Sequence, residues 1–106
     1  HEDSLYTPKG GVDAYNSLMS RYGLDAVITH ASHVSLAVQP LAKASGIMQM
    51  AVSASAKNFT SPDDLSFRVS PTIDLEVKVM GDYIKKKRFG KIYYKGITRL
   101  RIISLK

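Results

Sequence analysis

The chain of 106 residues has no cysteine, no tryptophan, only four prolines and, beyond Asp82, no acidic residue. Without cysteine there is no disulfide, no thiolate metal site and no cysteine nucleophile. No apolar run approaches the length a helix needs to cross a bilayer. The first residues, His1, Glu2 and Asp3, are polar, and no leader-like apolar stretch follows them. Neither a Walker loop nor a G-x-G-x-x-G fingerprint occurs, and Gly10-Gly11 alone carries no phosphate-binding signal. No cofactor is expected from these patterns.

What is present suits one small domain, with 44% hydrophobic residues and enough length to bury a modest core. The net charge of +6 is unevenly spread. Up to Tyr83 there are six Lys/Arg against nine Asp/Glu, a balance of −3. From Ile84 onward there are nine Lys/Arg and no acid, a balance of +9. Such a segment fits a polyanion-binding patch, or a solvated helix end in which Lys85, Lys86, Lys87 and Arg88 complement the helix dipole. The second reading is favoured, and no nucleic acid is expected as a partner.

The residues from His1 to Lys9 read as a loop, with Thr7-Pro8 and then Gly10-Gly11 as turn signals. Val12, Tyr15, Met19 and Tyr22 fall at helical spacing, and Gly23 is a natural stop. Ala26–Thr29 is a short apolar run suited to a buried strand. A second helix is expected from about Ser32 to Ala44, perturbed at Pro40 and ended by Gly46. Ile47–Val52 is a second strand. Ser53–Leu65 is a long loop with turn chemistry at Ser61-Pro62-Asp63-Asp64, and Ser66–Val69 a short extended piece. Ile73–Phe89 reads as a third helix, and Lys91–Tyr94 as a third strand with Ile97–Ser104 as a hairpin partner. Helices alternating with short strands give an α/β class, a three-layer fragment with a small, mainly parallel sheet built on Ala26–Thr29, Ile47–Val52 and Lys91–Tyr94.

In such a sheet ligands bind beyond the carboxyl ends of the strands. The loops there hold Ser32, His33 and Ser35 after the first strand, and Ser53, Ala54 and Ser55 after the second. Hydroxyls and free backbone amides at a helix start suit a carboxylate, because orphan N–H groups and the helix dipole both favour an anion. His30 and His33 lack the further ligands that a metal needs. No orienting acid or nucleophile elbow accompanies the serines, so neither a metal site nor a catalytic residue is expected.

The serial order of residues resembles a known family. The pieces LDAVITHASHVSLAVQPLAKASGI, SASAKNFTSP and FRVSPTIDLEVKVMGDYI resemble the amino-terminal lobe of type I periplasmic solute-binding proteins, specifically the branched-chain amino acid (leucine/isoleucine/valine) receptors of ABC importers. The likeness covers about Glu2 to Ile92, and residues 93–106 form a strand end and divergent basic tail. It implies a non-enzymatic, periplasmic or extracellular protein that binds a small solute, an amino acid, between two lobes and delivers it to an ABC permease. It also implies that Ser32, His33, Ser35, Ser53, Ala54 and Ser55 line half of the cleft, with the first strand and the second lobe missing. An unprotected sheet edge would follow, and self-association through it is expected. The alternative is a small basic α/β module that binds nucleic acid through Lys85–Lys106.

Overall fold

The computed structural model describes residues 2–61, 63–95 and 100–104. The chain divides into two compact units, His1–Asp74 and Leu75–Lys106. The break falls within a helix, well before the boundary at Ile92 that the likeness suggested.

The first unit contains α1 (Pro8–Tyr22), β1 (Ala26–His30), α2 (Ser32–Ala44), β2 (Met48–Val52), a 3-10 turn (Lys57–Phe59) and β3 (Ser66–Arg68). The class is α/β around a small parallel sheet, as the alternation of elements indicated. The sheet order is β1-β2-β3, and both pairings are parallel. Thr29 lies opposite Ala51 and His30 opposite Val52. On the other side of β2, Met50 faces Phe67.

Helix α1 starts earlier than the turn signals implied. The Thr7 hydroxyl accepts the Gly10 N–H at 3.0 Å, so Thr7-Pro8 is an N-cap followed by proline at the first helical position. Gly11 lies inside the helix because α2 passes so close. A Cβ there would lie 2.8 Å from Val34 Cγ1. Gly23, at φ +62°, ends the helix, and its N–H reaches the Met19 carbonyl.

Alternation along the strands separates two faces. Thr29, Gln49, Ala51 and Ser66 are buried on the face that α2 covers. Ile28, Met48, Val52 and Phe67 are exposed on the other. Tyr15, Val38, Ala42 and Ile47 form one buried cluster, joined by Met19, Leu24, Val27 and Leu41. Ala51, Ala54 and Phe59 form a second, against Leu36.

One expectation is corrected. Lys91–Tyr94 is not a strand of the parallel sheet; β3, the short extended piece, is its third member. In the second unit β4 (Lys91–Lys95) pairs antiparallel with β5 (Leu100–Ser104) in a separate hairpin. The apolar run marks a strand, but a five-residue strand fits either kind of ladder, and the run alone does not choose its partner. The hairpin's proposed start at Ile97 lies outside the described residues. Helix α3 (Ile73–Lys87) carries Lys85, Lys86 and Lys87 in its last turn.

Candidate functional site

Two loops meet at the carboxyl ends of β1 and β2. The Ala31 N–H donates to the carbonyl of Val52, the last residue of β2, at 2.9 Å, extending the ladder one residue past β1. Ala31 is the N-cap of α2, at φ 69° and ψ 149°, and no side chain among the described residues caps the helix. Its first-turn amides therefore lack the usual hydroxyl or carboxylate partner. The Ser32 hydroxyl instead accepts the Ala56 N–H at 3.2 Å, tying the start of α2 to the loop after β2.

The six residues expected to contact a ligand do not all lie at this rim. Ser32, His33, Ser53 and Ser55 do. Ser35 does not, for it is fully buried, its hydroxyl 2.9 Å from that of Thr29. Ala54 is also fully buried, packed with Ala51 and Phe59. Both are corrected from ligand contacts to core residues. The helical period supplies the reason for Ser35, which shares a stripe with buried Val38 and Ala42.

His33 turns away from the second loop. Its Nε2 lies 2.9 Å from the Tyr6 carbonyl, which can only accept, so Nε2 carries the proton. Its ring meets Tyr6 edge-on at 4.8 Å, while Tyr6 lies 5.8 Å from the His30 ring. The side chain therefore anchors the amino-terminal segment. Ser53 is exposed at φ 57°, and the Ser55 carbonyl accepts the Ile73 N–H at 2.9 Å.

Three residues that drew no attention in the sequence hold this rim in place. Arg68 threads beneath the second loop. Its guanidinium donates to the carbonyls of Ala54 (3.1 Å), Ala56 (2.7 Å) and Lys57 (3.5 Å) and to the Thr60 hydroxyl (2.9 Å). It also lies 5.8 Å from the Phe59 ring centre. Gln49, fully buried in β2, donates to Thr29 Oγ1 (3.0 Å) and to the Ser35 carbonyl (2.9 Å), while its own Oε1 has no partner among the described residues. Gln39 of α2 donates to the Phe59 carbonyl and lies within reach of Asp64 and Ser66. A single polar residue in the run IMQMAV was the one available signal for Gln49.

Asp64 closes the far end of the loop. Burial works to raise its pKa. The N–H of Ser66, the hydroxyl and N–H of Ser61 and the charge of Lys43 outweigh this, and the carboxyl lies below the usual aspartate value.

A cavity of about 300 Å³ lies elsewhere, between the amino-terminal segment, α1, β1 and the start of α2. Ala14, Leu18, Val27, Thr29 and Val34 line it, and none of the six expected site residues does. Among the described residues no three His, Asp or Glu side chains converge as metal ligands would. Compared with family models, with curated proteins and with solved structures, the chain matches none significantly.

Proposed function

We propose that the first unit is a solute-binding half-site of the type I periplasmic solute-binding kind, taking the carboxylate of a small solute, with an amino acid as the best candidate. The protein acts on this reading as an extracytoplasmic, non-enzymatic capture component serving an ABC permease. The observation that carries it is the junction of two loops at one rim. There the uncapped start of α2 stands beside Ser53 and Ser55, and Ser32 links the two. The amides of an uncapped helix start favour an anion through both their free N–H groups and the dipole. Ser32, Ser53 and Ser55 supply the surrounding hydroxyls.

Half a cleft encloses a solute on one side only, so affinity should be weak, in the millimolar range of a few kcal/mol. Amide chemical shifts of the 15N-labelled chain, followed while leucine, valine, alanine and glycine are added separately, test the reading. Saturable shifts confined to Ser32, His33, Ser53 and Ser55 are expected, weakened by Ser32→Ala. No saturable shift at these amides with any of the four would refute the amino acid assignment. The basic residues Lys85, Lys86 and Lys87 complement the dipole at the end of α3. That placement accounts for them without a polyanionic partner.

A further inference from the structure

From the unpaired edge of β1 we infer that the chain forms a symmetric dimer, in which β1 of one copy pairs antiparallel with β1 of a second, centred on Ile28. This inference does not rest on the solute reading, but the partner's Asp25 and a solute carboxylate would compete for the start of α2.

The two edges of the parallel sheet differ. On a strand, backbone groups of successive residues point to opposite sides. Gln49 donates to the Leu65 carbonyl and Val69 to the Ala51 carbonyl. Ser66 and Arg68 therefore point outward at the β3 edge. That edge is only three residues long, and its Ser66 N–H is already taken by Asp64 Oδ1 at 2.9 Å. It is a blunted edge.

Among the described residues no strand pairs with the β1 edge, and Glu2, Asp3 and Ser4 of the amino-terminal segment face it only across the cavity. The Ala31 N–H reaches the Val52 carbonyl, so Val27 and Thr29 share that direction, while Ala26, Ile28 and His30 present their N–H and C=O groups outward. The strand AVITH contains no Lys, Arg, Asp, Glu or Pro, and no bulge interrupts its register with β2. Ile28 is 74% exposed. Val27, Ile28, Thr29 and His30 all line the cavity of about 300 Å³. Consecutive strand residues face opposite sides, so a cavity touching all four runs along the strand's free edge.

A second copy of the strand fits this edge in one register. Antiparallel pairing centred on Ile28 sets it against the partner's Ile28, and Ala26 against the partner's His30. All three outward residues then fall in hydrogen-bonded pairs, which satisfies every outward group of both strands. A two-fold axis through the centre makes the interface self-complementary. The exposed faces carrying Ile28, Met48 and Val52 would continue from one sheet to the other.

Charge favours the same occupant. In this register Asp25, an exposed carboxylate, lies beside the partner's Ala31, the N-cap of α2. No side chain caps that helix, and its partial positive charge attracts the carboxylate. Symmetry makes the contact twice. No like charges meet across the strand pair.

Because the chain has no cysteine, Ile28→Cys places a single thiol at the two-fold axis. Opposed residues of a hydrogen-bonded pair have Cα atoms about 5.5 Å apart, within disulfide reach. Mild oxidation should therefore link the Ile28→Cys chain into covalent dimers. A thiol on the same face but one strand inward, from Met48→Cys, should not link. In the unmodified chain, the Ile28 and His30 amides should exchange with deuterium at least tenfold more slowly at high micromolar than at low micromolar concentration. Asp25→Asn should weaken dimerisation several-fold in sedimentation velocity. A monomer at 200 μM would overturn the inference. So would a dimer whose Ile28 and His30 amides exchange equally at both concentrations, since association would then use another surface.

Discussion

Ala31 and Ser53 occupy equivalent positions, one residue past β1 and one past β2, and both take a positive φ, 69° and 57°. Each is the first residue of a candidate ligand loop, and neither is glycine. Ala31, at ψ 149°, lies in a region that side chains other than glycine's rarely enter. Residues held there typically cost about 1–3 kcal/mol and persist where the surroundings dictate them. Here the Val52 carbonyl holds the Ala31 N–H, and the Ala31 carbonyl accepts from Ser35. The two positive-φ residues turn the chain away from the sheet at the same level after each strand and so make the rim.

Replacing Ala31 with glycine should remove the side-chain clash without disturbing either hydrogen bond. Glycine's greater freedom in the unfolded chain offsets part of that gain, leaving about 0.5–1 kcal/mol of stabilisation. For a unit of this size that is a rise of a few degrees in melting temperature. Ala31→Val should lower it by more, because a β-branched side chain at this φ meets the backbone. A lower melting temperature for Ala31→Gly than for the unmodified chain would show that the conformation carries no strain.

Much of the fold was legible because it depends on local signals. Gly23 stopped α1, the runs around Val27 and Met50 marked strands, and the alternation of elements gave the class. What was not legible depends on contacts far along the chain. The helix over Pro8–Lys9 was hidden by Gly10-Gly11, which are tolerated because α2 passes within contact of Gly11. The loops were legible as a rim, but not which of their residues face outward. Ser32 and Ser35 look alike in a Ser-rich stretch, yet three positions along a helix separate a rim residue from one sealed against Thr29. Arg68 was silent, since nothing near it in sequence announces the carbonyls it binds.

Arg68 should be the residue on which the second loop depends most. Removing it strands the carbonyls of Ala54 and Ala56, in a partly buried site, without donors. Hydrogen bonds to charged groups contribute about 1.5–3 kcal/mol each, and solvent access here keeps the total near the loss of one or two. Arg68→Ala should therefore destabilise by about 2–4 kcal/mol in urea unfolding. Arg68→Lys should recover less than half, because a single ammonium cannot reproduce the fork that spans Ala56 and Thr60. Full recovery by lysine would mean that charge alone matters.

Gln49 invites the opposite expectation. It makes two buried hydrogen bonds, at about 1 kcal/mol each, but leaves Oε1 buried without a partner, a penalty of about 1–3 kcal/mol. The hydroxyls of Thr29 and Ser35 still satisfy each other when the amide is gone. Gln49→Met keeps the volume and removes both the gain and the penalty, so stability should change by less than about 1 kcal/mol. Gln49→Ala empties the site as well and should cost about 2–4 kcal/mol. A loss above 3 kcal/mol for Gln49→Met would show that the amide oxygen has a partner in solution.

Asp64 links the stability of the same loop to pH. Burial opposes ionisation, but donors from Ser61 and Ser66 and the charge of Lys43 hold the folded-state pKa below that of the unfolded chain. A carboxyl depressed in this way contributes its full stabilisation above the unfolded aspartate pKa and loses it as pH falls through the lower folded value. Protonation takes one oxygen away as an acceptor, and Ser61 and Ser66 compete for what remains. Asp64→Asn should therefore lower the melting temperature at pH 7. The gap between variant and parent should narrow steadily below about pH 4, where ordinary aspartates begin to protonate. An equal gap at pH 7 and pH 2 would mean that the charge on Asp64 does not hold the loop.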